Sequence, residues 1–228
     1  MKHPNKYCIF AQNIKKMGVK RKSFDDWTTQ EVREVFNIKE VNNLPLLDEW
    51  LSFVTVPNAI ATQIMSEKRL LLRRFFRTWN EDELKFRFIA QIVELASLIG
   101  DTYNTFTQRS LSVVVNGVSL QGRPELMVAT GQEDPKKPYF FIHEYKPSKR
   151  ADEPLGQVLS AMVAAQALNN DGLPLLGCFV IGAIWQFLVL DNNTYALSRI
   201  YDATDENDLT AIFSALCQSK VYIQSRSV

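Results

Sequence analysis

With 228 residues, of which 46% are hydrophobic and 22% charged, the chain is long enough for one sizeable globular domain. This composition disfavours a disordered chain and a fibrous protein. Its 26 Lys and Arg and 25 Asp and Glu give a formal net charge of +1. The molecule as a whole therefore does not attract polyanions, and a nucleic-acid partner needs a local basic patch.

Cysteine usage and apolar runs indicate the compartment. Cys8, Cys178 and Cys217 are odd in number and far apart, which excludes a disulfide framework and a paired zinc-ligand spacing. No apolar run reaches the ~18 residues of a membrane span. The first residues also lack the apolar core of a secretory signal. We therefore expect a cytoplasmic protein with no membrane partner.

The N-terminal segment is basic and is followed by helical patterns. Residues 1–23 contain seven Lys or Arg and no acid, which is typical either of an arm drawn to phosphates or of a solvated tail. In "SFDDWTTQEVREVFNI", a helix is expected to begin at Ser23 or Thr28, since Glu31 stands three residues after Thr28 as in a capping box. A short amphipathic helix is predicted in "NNLPLLDEWLSF".

Two longer helices are predicted next, in "NAIATQIMSEKRLLLRRFFRTWN" and in "NEDELKFRFIAQIVELASLIG", the second closed by Gly100. On the first, Arg69, Arg73 and Arg77 recur every four residues, so one face would carry three guanidinium groups. With Lys149 and Arg150 they form either a phosphate contact or an ordinary solvated face. Their apolar neighbours are interpreted as core rather than as base-stacking platforms. These neighbours are Leu70, Leu71, Phe75 and Phe76.

Beyond residue 101 the pattern changes to short strands. "SLSVVVNGVSLQGRPELMVAT" has β-branched runs broken at the hairpin dipeptide Asn116-Gly117, and "YFFIHEYKPS" reads as a further strand. "EPLGQVLSAMVAAQALNN" restores helical spacing before the strands "LLGCFVIGAIWQFLVLD" and "TYALSRIYDA" and a last helix in "ENDLTAIFSALCQ". This order favours an α/β fold with a mixed sheet and an N-terminal helical extension.

The strand "YFFIHEYKPS" ends in an acid and a base. Glu144 and Lys146 are two residues apart, so they project from the same side of a strand, whereas His143 points to the other side and is interpreted as structural. Glu125 follows Pro124, a residue that favours a strand start or edge. If the two strands pair, Glu125 and Glu144 come close enough to share a divalent cation, with Lys146 beside it.

"GRPELMVA" followed by "FFIHEYKPS" resembles the PD-(D/E)XK nuclease superfamily, whose motif is an acid, commonly after proline, and then acid-x-Lys on the next strand. The resemblance extends over roughly residues 81–190. It implies a restriction-endonuclease-like αβββαβ core within residues 81–228, with residues 1–80 as a basic arm and helical extension packed on it. It also implies Mg²⁺- or Mn²⁺-dependent hydrolysis of nucleic-acid phosphodiester bonds by metal-activated water.

Carried over residue by residue, the resemblance gives catalytic roles to Glu125, Glu144 and Lys146, and the two acids are also the implied metal ligands. Gln157, in the following helix, matches a glutamine that some branches of the family place near the site. Two positions depart from the family pattern. Residue 125 is Glu where Asp is commoner, and Ala161 stands where a tyrosine often follows the glutamine.

Plainer interpretations of these residues stay open. Glu94 lies on a narrow polar stripe of a predicted helix, and is either solvent-facing or the further metal-ligating carboxylate that the first core helix of the family often supplies. Glu144 and Lys146 could form an exposed ion pair, which stabilises little. Glu125 could be a solvated turn residue, and Gln157 could lie on the outer face of its helix.

The sequence thus predicts a metal-dependent nuclease, with DNA favoured over RNA as the substrate, and it allows a homodimer. Two other functions remain alternatives. One is a catalytically silent member of the same fold that binds nucleic acid. The other is a protein-interaction module that uses the N-terminal helices, in which case neither metal nor nucleic acid should bind.

Overall fold

The computed structural model of the chain describes residues 20–147 and 154–226, so most of the predicted basic arm, together with Lys149 and Arg150, lies outside the described residues. A 3-10 turn spans Phe24–Asp26, and a π-helical turn spans Lys85–Ile89. The helices are α1 (Thr29–Phe36), α2 (Pro45–Ser52), α3 (Ala59–Phe75), α4 (Glu81–Leu84), α5 (Ala90–Ala96), α6 (Pro154–Asn169) and α7 (Glu206–Arg226). The strands are β1 (Lys20–Ser23), β2 (Lys39–Glu40), β3 (Tyr103–Thr107), β4 (Leu111–Val115), β5 (Val118–Gly122), β6 (Leu126–Thr130), β7 (Lys136–Lys146), β8 (Leu175–Ile181), β9 (Ile184–Asp191), β10 (Thr194–Leu197) and β11 (Tyr201–Asp202).

The main sheet is large and mixed. Its strands lie in the order β2-β10-β9-β8-β7-β6-β3, with β11 paired to β9. Strands β7 and β8 are parallel and are joined by α6, as a crossover connection requires, whereas β6 is antiparallel to both of its neighbours. The α/β class with a mixed sheet is therefore confirmed.

The predicted Asn116-Gly117 hairpin is also confirmed, but its strands leave the main sheet. Both turn residues have positive φ angles, 50° and 77°, as the tight two-residue hairpin turn requires. Strands β4 and β5 form a separate small sheet with β1. The edge position of the main sheet is taken instead by β3, Tyr103–Thr107, a strand that the sequence pattern did not indicate because its short run "YNTFT" is half polar.

Both faces of the main sheet are covered. Helices α2, α3, α5 and α7 contribute to one hydrophobic core, which includes Trp50, Leu72 and Phe88. Helices α1 and α6 and the small sheet contribute to the other, which includes Trp27 and Met162. Because α6 is enclosed by the main sheet, the small sheet and α1, its sequence is apolar on all sides.

The helix ends match the sequence-based predictions at some positions and differ from them at others. The capping box of Thr28 and Glu31 at the start of α1 is confirmed, with Thr28 Oγ1 accepting a hydrogen bond from the Glu31 N–H at 3.2 Å. The predicted end of a helix at Gly100 is wrong. That helix ends at Ala96, because Ser97 adopts a left-handed conformation with φ of 53°.

The predicted stripe of three arginines is shortened. Helix α3 ends at Phe75, so Arg77 lies in the turn beyond it and does not continue the helical face. Arg69 forms an ion pair with Glu206, in which its Nη2 lies 2.8 Å from Glu206 Oε2. The interpretation of the neighbouring apolar residues as core is wrong for Leu70 and Leu71, which are 58% and 41% exposed, whereas Phe75 and Phe76 pack against the core.

Gly156 in the first turn of α6 sets how closely this helix approaches the segment before α1. A Cβ at this position would collide with the Trp27 carbonyl oxygen and lie 2.7 Å from the backbone carbon of Thr28. Helix propensity alone would make Gly156→Ala stabilising by up to about 1 kcal/mol. We expect the opposite sign, a loss of about 1–3 kcal/mol from overpacking. Thermal unfolding checks this, and a raised Tm would contradict the close packing.

Candidate active site

The end of the β6–β7 ladder brings two acids together. Leu126 pairs with His143, so Glu125 and Glu144, one step further along each strand, lie opposite each other. Their side chains are only 11% and 8% exposed, which excludes the interpretation of Glu125 as a solvated turn residue. Lys146 Nζ lies 3.2 Å from Glu144 Oε1, so these two side chains share one side of β7 but are not an exposed pair.

A second lysine reaches the acids from the helical layer. Lys85, at the start of the π-helical turn, forms an ion pair with Glu125 and another, at 2.6 Å, with Glu81 one turn earlier. Burial lowers the pKa of Lys85, but its hydrogen bonds to the two carboxylates outweigh burial and raise the pKa overall. Lys85 is therefore a fixed cation between two acids.

The opposite layer contributes Asp25 and Gln157. Asp25 lies in the 3-10 turn after β1, and its negative charge raises the pKa of Glu144. Gln157 is 4% exposed, so it does not lie on an outer helix face, and its Nε2 is 3.5 Å from the backbone oxygen of Asp25. Among the described residues its buried Oε1 accepts no hydrogen bond. A buried amide oxygen of this kind requires a partner, such as a water or a cation.

Burial dominates the electrostatics of the site. It raises the pKa of Glu144 to about 8, against the lowering effect of Lys146 and with further increases from Glu125 and Asp25. Burial lowers the pKa of Lys146, but the charge of Glu144 and a hydrogen bond to it outweigh this, and the net change in pKa is upward.

Four acids and two lysines thus make up the site, and we call these six side chains the acidic cluster. They are Asp25, Glu81, Glu125, Glu144, Lys85 and Lys146.

The chemistry of the cluster fits a hard divalent cation. Mg²⁺ and Mn²⁺ prefer carboxylate and amide oxygens, and Mg²⁺ keeps several waters, so it needs only one or two protein carboxylates. Glu125, Glu144 and the unpaired Oε1 of Gln157 offer such oxygens. In the described ranges, no three His, Cys, Asp or Glu side chains are grouped as a ready-made metal site. Lys85 and Lys146 supply the positive charge that the acids need.

Glu94 lies outside the acidic cluster. It is exposed on α5, thirteen residues after Glu81, which corresponds to about 20 Å at the rise of a helix. Glu81 is the carboxylate of this helical segment that reaches the site, through Lys85. The cation site proposed for the acidic cluster therefore does not include Glu94.

His143 lies on the other face of β7. It is fully buried, and its Nδ1 is 3.0 Å from the hydroxyl oxygen of Tyr145. Burial lowers its pKa to about 3, so the imidazole is neutral at physiological pH. These contacts support the structural role that the strand alternation predicts for it.

Sequence patterns missed Glu81, Lys85 and Asp25. Glu81 and Lys85 stand at i and i+4 in a helical pattern, which is a recognisable ion-pair signal, but nothing in the spacing connects them with Glu125. Asp25 reaches the site only because the 3-10 turn packs on α6. No local pattern encodes that contact.

Comparison of the chain with models of known protein families and with curated proteins gives no match. Within the described part of the chain, no helix has both the length and the apolarity required to cross a bilayer. Any functional assignment must therefore be argued from the acidic cluster.

The raised pKa of Glu144 predicts a pH-dependent stability. Because the folded protein holds this proton more tightly than the unfolded chain, its stabilising contribution is complete below pH 4.5 and is lost as the pH rises through about 8. We expect Glu144→Gln, which cannot ionise, to gain stability relative to the wild type over this interval.

Denaturant unfolding without metal, at a series of pH values, checks this expectation. Glu94→Gln is the matched control, since Glu94 is exposed, and its stability should follow that of the wild type at every pH. A constant difference between Glu144→Gln and the wild type would contradict the raised pKa.

Proposed function

We propose that the chain is a metal-dependent nuclease that hydrolyses nucleic-acid phosphodiester bonds, with DNA as the preferred substrate. The observation that carries the proposal is the pair of buried carboxylates, Glu125 and Glu144, facing each other across β6 and β7 with Lys146 beside them. Element order supports it. A helical segment, three strands of the main sheet, α6 and β8 follow one another as in the αβββαβ core of the PD-(D/E)XK superfamily, with the β4–β5 hairpin inserted.

Each residue of the proposed site would have a role that follows from its chemistry. Glu125, Glu144 and the Oε1 of Gln157 would hold Mg²⁺ or Mn²⁺, which when bound supplies Lewis acidity and a water of lowered pKa. Lys146 would hydrogen-bond a phosphate oxygen and balance the negative charge that develops during hydrolysis. Burial makes these interactions stronger, because the low local dielectric reduces the screening of charge.

Metal binding and cleavage test the proposal together. We expect calorimetric titration to show Mn²⁺ binding to the wild type, and cleavage assays on single-stranded, double-stranded and branched DNA and on RNA to show metal-dependent products. Glu144→Gln and Glu125→Gln should lose both. Lys146→Met should bind Mn²⁺ yet cleave at least 100-fold more slowly, since one lost transition-state donor costs about 10²–10³ in rate.

Glu94→Gln is the matched control and should retain both metal binding and cleavage. Wild type that binds neither metal nor nucleic acid would refute the proposal and leave the interaction-module alternative. Binding of nucleic acid without any cleavage would instead favour the catalytically silent alternative.

Lys85 is expected to compete with the metal ion for Glu125. Its ammonium group already pairs with this carboxylate, so Lys85→Met should tighten Mn²⁺ binding. The same change leaves Glu81 and Glu125 without their counter-ion, so the metal-free variant should unfold more easily than the wild type. Calorimetry and thermal unfolding with and without Mn²⁺ measure the two effects. Weaker Mn²⁺ binding in a folded variant would contradict this role.

A further inference from the structure

An open groove lies on the helical layer, apart from the acidic cluster. It occupies about 460 Å³ between the end of α3 and the segment that runs from α4 through the π-helical turn to α5. A π-helical turn within a helix often marks a functional site. The lining residues that carry the argument are Lys68, Leu71, Phe75, Trp79, Phe86 and Arg87.

The groove exposes flat apolar surface. Phe86 is 77% exposed and Leu71 is 41% exposed. The rings of Phe75 and Trp79 are stacked, 6.1 Å apart with an interplanar angle of 20°. Exposed apolar groups gathered in one groove indicate a binding surface, whereas a single exposed residue does not.

Cations without acidic partners surround this surface. Lys68 and Arg87 line the groove, and Arg74 lies over the Phe75 ring at 4.9 Å. Within residues 20–147 and 154–226, none of these three, nor Arg73 or Arg77, has a carboxylate within 4.0 Å. This part of α3 and the following turn therefore carry uncompensated positive charge.

Neighbouring charged residues show that this pattern is local. Arg69, one turn before Arg73, is neutralised by Glu206 of α7. Glu83 also lines the groove, but its carboxylate accepts a hydrogen bond from the Asn80 backbone N–H at 3.0 Å and is committed to capping α4. Among the residues that line the groove, the two cations Lys68 and Arg87 therefore outnumber this single acid.

We propose that this groove binds single-stranded nucleic acid, with a base stacked on Phe86 and phosphates contacted by Arg87 and Lys68. Aromatic faces combined with a basic groove are how proteins bind single strands without reading sequence. A duplex keeps its base faces stacked within the helix, so it cannot offer them to Phe86. The inference rests on the proposed function for the class of its ligand, and it narrows the substrate to single-stranded or unpaired nucleic acid.

The helical segment connects this groove with the acidic cluster. Lys85 reaches Glu125, while the adjacent Phe86 and Arg87 line the groove. Residues two apart in a helix lie on nearly opposite sides, so the helix, about 10 Å across, separates the two sites. A bound strand would need to pass around the start of this helix to reach Glu144.

Binding in EDTA tests the groove independently of cleavage. Fluorescence anisotropy would compare labelled oligo-dT, oligo-rU and a DNA duplex of equal length on the full chain. We expect the single strands to bind more tightly than the duplex. Phe86→Ala should weaken binding of single strands by about 5- to 150-fold, which corresponds to the ~1–3 kcal/mol of one stacked base. The salt dependence of this variant should not change.

Arg87→Gln separates the electrostatic contact from stacking. Loss of one phosphate contact should reduce the slope of log K against log salt concentration by about 0.7. Phe53→Ala and Arg33→Gln are the matched controls, since Phe53 is 49% exposed in the loop after α2 and Arg33 is exposed on α1, against the opposite face of the main sheet. Both should bind as the wild type does.

The outcomes distinguish this inference from the proposed function. Single-strand binding that depends on Phe86, in a protein that never cleaves with Mn²⁺, supports the groove and overturns the nuclease proposal. Cleavage with unchanged binding by Phe86→Ala overturns the groove alone. Tighter binding of the duplex, or no binding of any oligonucleotide, also overturns the groove.

Discussion

The burial of the Glu144 carboxyl group at the end of β7 is the constraint that explains the charges placed around it. Glu144 is removed from water, and burial makes its ionised form unfavourable unless positive charge lies next to it. Lys146 supplies that charge directly, and Lys85 supplies it to the opposing Glu125. A protein selected only for stability has no need of this arrangement, since an apolar pair of similar volume would cost less. The presence of this charged pair in a buried position is the physical reason to look for chemistry there.

Three separate parts of the fold must agree for the acidic cluster to exist. The β6–β7 register sets Glu125 opposite Glu144. The start of the π-helical turn places Lys85 against Glu125, and the close contact at Gly156 brings the segment after the 3-10 turn with Asp25 against α6. One contact lies within the sheet, one joins the helical layer to it, and one lies within the opposite layer. The site therefore depends on tertiary packing more than on any single element.

Alternation and periodicity were enough to predict the α/β class, the Asn116-Gly117 hairpin and the common side of Glu144 and Lys146, because these features depend on local spacing. Long-range choices were not predictable in the same way. Nothing local indicates that the hairpin joins β1 or that Lys85 meets Glu125. The burial of Gln157 likewise follows from the enclosure of α6, which only the assembled layers determine.

The π-helical turn has a consequence for how this chain can change in length. Each residue of an α-helix turns the chain by about 100°. Loss of one residue within Lys85–Ile89 would convert the turn into regular α-helix and rotate α4 relative to α5 by roughly that angle. Since α5 is fixed by its buried residues, α4 would be the part that rotates, and Glu81 would move with it. A single deletion in this turn would therefore uncouple the helix from Glu125.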